Sequence, residues 1–89
     1  MAQAHADPDE MLRFAEVLTA FRSDTDNNLT HVRQGFAALS ETWHDQQHAS
    51  FEASFNDVHA AMARFLQATE EYVPYLRTKA AQLQEYLGG

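Results

Sequence analysis

The chain has 89 residues and a net charge of -7, and together these exclude several classes of function. A chain of this length holds one domain with no room for a separate catalytic unit, and its acidic balance argues against nucleic acid, which attracts clustered Lys and Arg. It has no Cys, which removes disulfides, thiolate metal sites and Cys nucleophiles, while 45% hydrophobic and 21% charged residues are typical of a folded chain.

The N-terminal segment, MAQAHADPDE, has neither a basic region nor an apolar run, so we expect no Sec-type signal peptide. No stretch of about 18 or more apolar residues occurs, so we expect no stable membrane insertion. These features predict a protein that is cytoplasmic when made, and any secretion must use another signal.

The first helix is predicted to start with Asp7 as N-cap, Pro8 at the first helical position and Glu10 closing a capping box. We expect the first six residues to be loose. Packable side chains then recur every three or four residues, which predicts one helix over about residues 8–42. They are Met11, Phe14, Leu18, Phe21, Thr25, Leu29, Val32, Phe36, Leu39 and Trp43. The polar segment 23–28 permits a turn, but the apolar phase resumes beyond it, which favours continuity.

The apolar phase breaks after this helix, which predicts a turn at about residues 43–46. Asp45 in this turn either caps the next helix or accepts a left-handed backbone. A second periodic series predicts a helix over about residues 47–87. Pro74 removes an amide donor there and predicts a kink, with two separate helices as the alternative. The series is Phe51, Phe55, Val58, Met62, Phe65, Thr69, Tyr72, Leu76, Ala80, Leu83 and Leu87.

These elements predict an all-α fold, a single antiparallel helix-turn-helix hairpin over residues 1–89. The apolar series are wider than one seam between two helices requires, and a monomer would leave aromatic side chains exposed. We therefore predict a dimer that forms a four-helix bundle. Its predicted core is Phe14, Leu18, Phe21, Val32, Phe36, Leu39, Phe55, Val58, Met62 and Phe65. The alternatives are a groove that binds a target helix and an amphipathic helix on a membrane, the latter disfavoured by the acidic balance.

His44 and His48 are one weak pair of candidate metal ligands, because their i,i+4 spacing places two imidazoles on one helix face. A structural zinc site needs about four ligands, and the sequence has neither a nucleophile and base pair nor a glycine-rich phosphate cradle. The interior positions lack the Glu and Glu-x-x-His residues of diiron bundles. We therefore predict a protein that is not an enzyme and has no cofactor, with a metal-binding or ligand-binding helical bundle as the alternative.

At the turn, a Trp in a short helical hairpin resembles the WXG family, the ESAT-like proteins of type VII (ESX) secretion. Trp43 takes the place of the motif Trp, His44 that of the variable residue, and Asp45 stands where the family has Gly. Phe51 matches the aromatic residue that commonly opens the family's second helix. The resemblance covers nearly the whole chain and marks it as a divergent member.

The resemblance implies a small secreted helical protein, or the partner or adaptor of one. Such a protein would form a homodimer, or a heterodimer with a paralogous hairpin, and would contact a secretion ATPase. The family's export signal is usually an aromatic residue followed four residues later by an acid. Here Tyr72 is followed at that spacing by Leu76, and Tyr75 by Lys79.

Trp43 has two alternative roles, a lid over the end of the hairpin or a docking element. For the docking role, which the resemblance implies for the motif, we expect Trp43 to be partly exposed beside the chain end near Tyr86 and Leu87. The three residues would then form part of a mixed aromatic and acidic patch.

Overall fold

The computed structural model describes residues 6–88, which form two long helices and no strand within that range. Helix α1 spans Pro8–Leu39 and helix α2 spans Gln46–Gly88. They pack against each other in a hairpin that measures 65 × 25 × 15 Å, which confirms the predicted all-α hairpin. Of the six N-terminal residues predicted to be loose, residues 1–5 lie outside the described range, and Ala6 is exposed.

Helix α1 begins where the sequence places its cap. The Asp7 carboxylate accepts the backbone N–H of Asp9 at 2.9 Å, and Pro8 occupies the first turn, where its missing amide proton costs nothing. The helix then continues through the polar segment 23–28 without a break.

Helix α1 ends at Leu39, before the boundary near residue 42 that the sequence suggested. The Ser40 hydroxyl and backbone N–H both donate to the Phe36 carbonyl, at 2.7 and 2.9 Å. The next two amides donate to carbonyls only three residues back, which tightens the chain into a turn.

Helix α2 begins directly after Asp45, whose carboxylate accepts the backbone N–H of His48 at 3.0 Å. Asp45 therefore acts as the N-cap. The left-handed alternative for Asp45 is wrong, because no residue among 6–88 has a positive φ. Helix α2 continues through Pro74 as one helix, and the bend at Pro74 stays a prediction.

The side chains that the seam buries completely are small. Ala15 and Ala80 are fully buried, and Leu18 is 9% exposed. Among residues 6–88, Thr69 is the largest fully buried side chain, and its hydroxyl donates to the Leu66 carbonyl at 2.6 Å, so burial leaves it satisfied. Among the described residues, Leu18 is therefore the one large apolar side chain that the hairpin by itself buries, and the others are half-buried or exposed.

Polar contacts tie the helices together at the edges of the seam. Arg22 forms an ion pair with Glu70, and the Arg33 guanidinium donates to a ring nitrogen of His59. The ion pair is about half exposed, so we expect it to contribute at most about 1 kcal/mol. These contacts therefore define the register of the helices more than they stabilise them.

Candidate interaction surface

The large apolar side chains that the seam does not bury lie on the exposed surface. On α2 they recur every seven residues, a spacing that keeps side chains on one face of a helix packed in a bundle. Eight residues, four on each helix, have 40% to 57% of their surface exposed. We call them the outer stripe. They are Phe14, Phe21, Val32, Leu39, Phe51, Val58, Phe65 and Tyr72.

The outer stripe connects across the two helices at three levels. At mid-length, Phe21 packs edge to face on Phe65 with ring centroids 5.8 Å apart. Toward the open end of the hairpin, a groove of about 320 Å³ has walls that include Phe14, Phe65, Tyr72 and Tyr75; we call it the open-end groove. Near the turn, a second groove of about 250 Å³, the turn groove, is lined by Val32, Gly35, Phe36, Leu39, Trp43 and Phe51. The stripe is therefore one apolar face that covers about 38 Å of the 65 Å hairpin, from Leu39 to Phe14 at 1.5 Å per residue of α1.

The ten residues predicted as dimer core divide between this face and the seam. Six are exposed on the outer stripe: Phe14, Phe21, Val32, Leu39, Val58 and Phe65. The other four, Leu18, Phe36, Phe55 and Met62, are buried or half-buried within the hairpin. The sequence pattern combined two faces, because side chains on either face follow the same three-and-four spacing.

An aromatic corner closes the turn end of the hairpin. The His48 ring stacks on Phe36 with centroids 4.6 Å apart and a 19° interplanar angle, and Trp43 packs its edge on His48 at 5.1 Å. Phe51 approaches Phe36 at 5.1 Å. Trp43 is half-buried in this corner and also lines the turn groove, so it joins the corner to the apolar face.

Comparison with family models decides the family. A model described as "Proteins of 100 residues with WXG", WXG100, matches residues 3–86. The chain belongs to the WXG100 family. The resemblance seen in the sequence is confirmed.

Among solved structures, this WXG100 chain is similar to a crystal structure of the secreted protein EsxB, a glycine-to-alanine mutant, from Bacillus anthracis str. Sterne. The TM-score is 0.73 at 20% sequence identity, and the match covers 94% of this chain and 97% of that chain. At this identity the likeness establishes the shared fold alone. A comparison with curated proteins found no significant match.

The WXG100 motif position that holds Gly in the family holds Asp45 here, and the backbone explains why the exchange is tolerated. Because φ is not positive at this position, the substitution causes no left-handed strain. The His48 backbone N–H, and next the Trp43 side chain, lower the pKa of the exposed Asp45 carboxyl below its usual value. Asp45 therefore adds a cap for α2 that Gly cannot supply through a side chain.

The two candidate metal ligands lie close together in the same corner. The His44 and His48 ring centroids are 6.0 Å apart. The Ser40 hydroxyl donates its only proton to the Phe36 carbonyl, so its oxygen accepts from His48 Nε2–H at 2.7 Å. This bond occupies one of the two ring nitrogens of His48. Within residues 6–88 no group of three or more His, Cys, Asp or Glu side chains converges on a metal position.

The expected patch of Trp43 with Tyr86 and Leu87 does not form within one chain. Trp43 precedes α2, while Tyr86 and Leu87 lie at its far end, about 60 Å away at 1.5 Å per residue. The prediction is wrong for a single hairpin, because the turn and the chain end lie at opposite ends of the rod.

The sequence pattern did not identify Gly35 and Ser40 as residues of this surface. Gly35 contributes to the wall of the turn groove, and its signal was available, since it is the one glycine of the sequence away from the C-terminus. Ser40 had no comparable signal, because its bond to His48 depends on how the turn folds back.

No helix of residues 6–88 is both long enough and apolar enough to cross a membrane.

Proposed function

We propose that the protein is a small helical interaction protein, a type VII secretion substrate or its partner, which acts by pairing with another helical hairpin through the outer stripe. The observation that carries the proposal is the row of eight large apolar side chains left 40% to 57% exposed on one face. WXG100 membership and the fold shared with the secreted protein EsxB support the secretion setting. Catalysis has no part in the proposal.

The exposed area supports pairing on grounds of size. A compact monomer of 10.1 kDa is expected to expose about 5300 Å², whereas this chain exposes 6795 Å². The excess is larger than the roughly 800 Å² that each partner buries in a standard protein interface. Covering the stripe therefore gives the hairpin the apolar burial that its narrow seam lacks.

A charge placed on the stripe tests the proposal. Val58 is 52% exposed, so Val58→Asp should leave the helices formed at low concentration but prevent pairing, because association would bury an unpaired carboxylate. Ala60→Asp is the matched control, since Ala60 is exposed and lies on the opposite side of α2. Multi-angle light scattering over a concentration series reports the mass of each variant.

We expect wild type and Ala60→Asp to pair and Val58→Asp to remain monomeric. Equal pairing by the two Asp variants would contradict the outer stripe as the surface. A wild-type chain that stays monomeric at micromolar concentration, and captures no other hairpin from its genomic neighbourhood, would contradict pairing itself.

The motif residues Trp43, Asp45 and Phe51 are proposed as the docking region at the turn end, facing a paralogous hairpin or a secretion ATPase. Their position supports this, because Trp43 and Phe51 both line the turn groove. Export without a Sec signal is tested by following tagged wild-type chain in culture supernatant of its host, with and without the secretion ATPase. Equal export from both strains would contradict the type VII assignment.

A further inference from the structure

We propose that Gly35 makes the turn groove a docking pocket for an aromatic side chain of a second copy of this chain, and so determines by size which hairpin can pair. This inference rests on the proposed function and deepens it. It concerns one subsite of the outer stripe and names its occupant.

The turn groove is an apolar hollow whose walls come from both helices and the turn. Val32 and Leu39 on α1 and Phe51 on α2 surround Gly35, and all three are 41% to 50% exposed. A Cβ atom added at Gly35 would meet nothing within 4 Å. The groove is therefore open above Gly35, and a side chain there would occupy the hollow.

Nothing inside the hairpin requires a glycine at this position. The backbone φ of Gly35 is not positive, no neighbouring atom crowds a Cβ, and glycine is among the least favourable residues in a helix interior. What the missing side chain provides is close approach to the α1 backbone from outside. The shape fits a partner side chain that enters between Val32, Leu39 and Phe51.

A second copy supplies that side chain by symmetry. The turn groove is centred near Gly35 and the open-end groove near Phe14 and Leu18, about 30 Å apart along α1 at 1.5 Å per residue. A two-fold axis midway between them, at the level of Thr25, places the turn groove of each copy against the open-end groove of its partner. One symmetric contact then covers both grooves of both copies.

At the open end the partner presents three exposed aromatic side chains. Phe14, Tyr72 and Tyr75 are 52% to 59% exposed and border the open-end groove. Tyr72 borders the open-end groove together with Phe14 and Leu18, so with the two hairpins reversed it lies at about the level of Gly35 of the other copy. An aromatic ring from this cluster is the occupant that the hollow receives.

Charge favours the reversed arrangement. Lys79 continues the seven-residue repeat of α2 after Tyr72. With hairpins reversed, Lys79 points toward the partner's turn, where Asp45 and Glu52 lie, whereas hairpins in the same direction would bring the two Lys79 residues to one level. The reversed pair is favoured because it brings Lys79 near acidic residues and keeps the two Lys79 residues apart.

Filling the hollow tests the proposal. Gly35→Leu should keep the hairpin helical but weaken self-pairing by at least about tenfold, because the leucine occupies the space of the partner's ring. Gln34→Leu is the matched control: it adds the same side chain at an exposed neighbouring position that does not line the groove, and we expect less than about twofold change. Dissociation constants come from analytical ultracentrifugation and helicity from circular dichroism.

Gly35→Ala and Tyr72→Ala sharpen the test. Gly35→Ala should raise the helicity of the separated hairpin, since alanine is the better helix former, and yet weaken pairing. Once Gly35→Leu is present, adding Tyr72→Ala should cost less than it does in wild type, because the contact has already been lost.

The outcomes separate this inference from the proposed function. If Val58→Asp disrupts self-pairing but Gly35→Leu and Gln34→Leu have equal dissociation constants, the role of Gly35 is overturned and the outer stripe is retained. Equal pairing by Val58→Asp and Ala60→Asp overturns the outer stripe as the pairing surface. A wild-type chain that does not pair with itself overturns the second copy as occupant, even if a different hairpin is then captured.

Discussion

The seam and the outer stripe of this hairpin arise from the same helical periodicity but hold side chains of different sizes. The fully buried seam residues, Ala15, Thr69 and Ala80, are small, whereas the stripe carries rings such as Phe14 and Phe65 at about half exposure. Small side chains let two helices approach closely but remove little apolar area from water. The seam therefore defines the shape of the hairpin, and large apolar side chains remain about half exposed on the face left for a partner.

The largest effect we expect is from a charge in the seam. Ala80 is fully buried, so Ala80→Asp should cost about 3 kcal/mol or more in free energy of unfolding, because the carboxylate has no partner there. Ala81→Asp, at an exposed neighbouring position, should change it by less than about 0.5 kcal/mol. Chemical denaturation followed by circular dichroism compares them. Equal stability of the two variants would break the distinction between seam and surface.

Trp43→Ala tests whether the aromatic corner stabilises the hairpin, as the seam does, or binds a partner, as the outer stripe is proposed to do. Trp43 is half-buried against Phe36 and His48, so truncation should cost about 2 kcal/mol, less than at a fully buried aromatic site. A docking Trp43 would reduce capture of a tagged second copy by a larger factor than this loss of stability accounts for. Circular dichroism and a pull-down on the same variant measure both. Full capture by a folded Trp43→Ala protein leaves Trp43 as a lid.

A smaller effect concerns the cap where the turn meets α2. The folded pKa of Asp45 lies below its usual value, chiefly because of the hydrogen bond from the His48 backbone N–H. The stabilising effect of the carboxylate is therefore present above the unfolded pKa and is lost as pH falls through the folded pKa. Wild type should lose thermal stability in this acid range relative to Asp45→Asn, which keeps a capping side chain without titrating there. If the melting temperatures of the two proteins change equally as pH falls, the contribution of the charged cap is contradicted.

The smallest expected effect is from metal removal. His44 and His48 lie beside each other, but no third ligand joins them among residues 6–88. We therefore expect a chelator to leave the melting temperature unchanged. A melting temperature that falls on chelation and recovers with added zinc would restore the metal-binding hypothesis for this corner.

The sequence predicted the parts of the molecule that local chemistry controls. The Asp7 cap, the continuity of α1 through residues 23–28 and the reversal near Trp43 follow from capping and periodicity. The assignment of faces did not follow. Leu18 and Phe14 occupy the same three-and-four series, yet one is buried and the other exposed, because periodicity locates an apolar side without telling which neighbour covers it.

The candidate site was predictable in the same uneven way. Trp43 and Phe51 were found from motif and spacing, and both line the turn groove. The placement of Trp43 near Tyr86 failed because α2 continues as one helix from beside Trp43 to Tyr86, so residues at its opposite ends cannot meet within one chain. Gly35 carried a visible signal whose meaning required the groove around it.

The slender shape of the hairpin affects how the protein moves through solution. Its radius of gyration is 19.7 Å, whereas a compact chain of this length would have about 12 Å, and a compact chain with the observed value would have roughly 320 residues. A single unpaired hairpin should therefore tumble slowly and elute from a sizing column well ahead of globular standards of its mass. Early elution is thus expected of one chain and of two, and only a shape-independent mass distinguishes them.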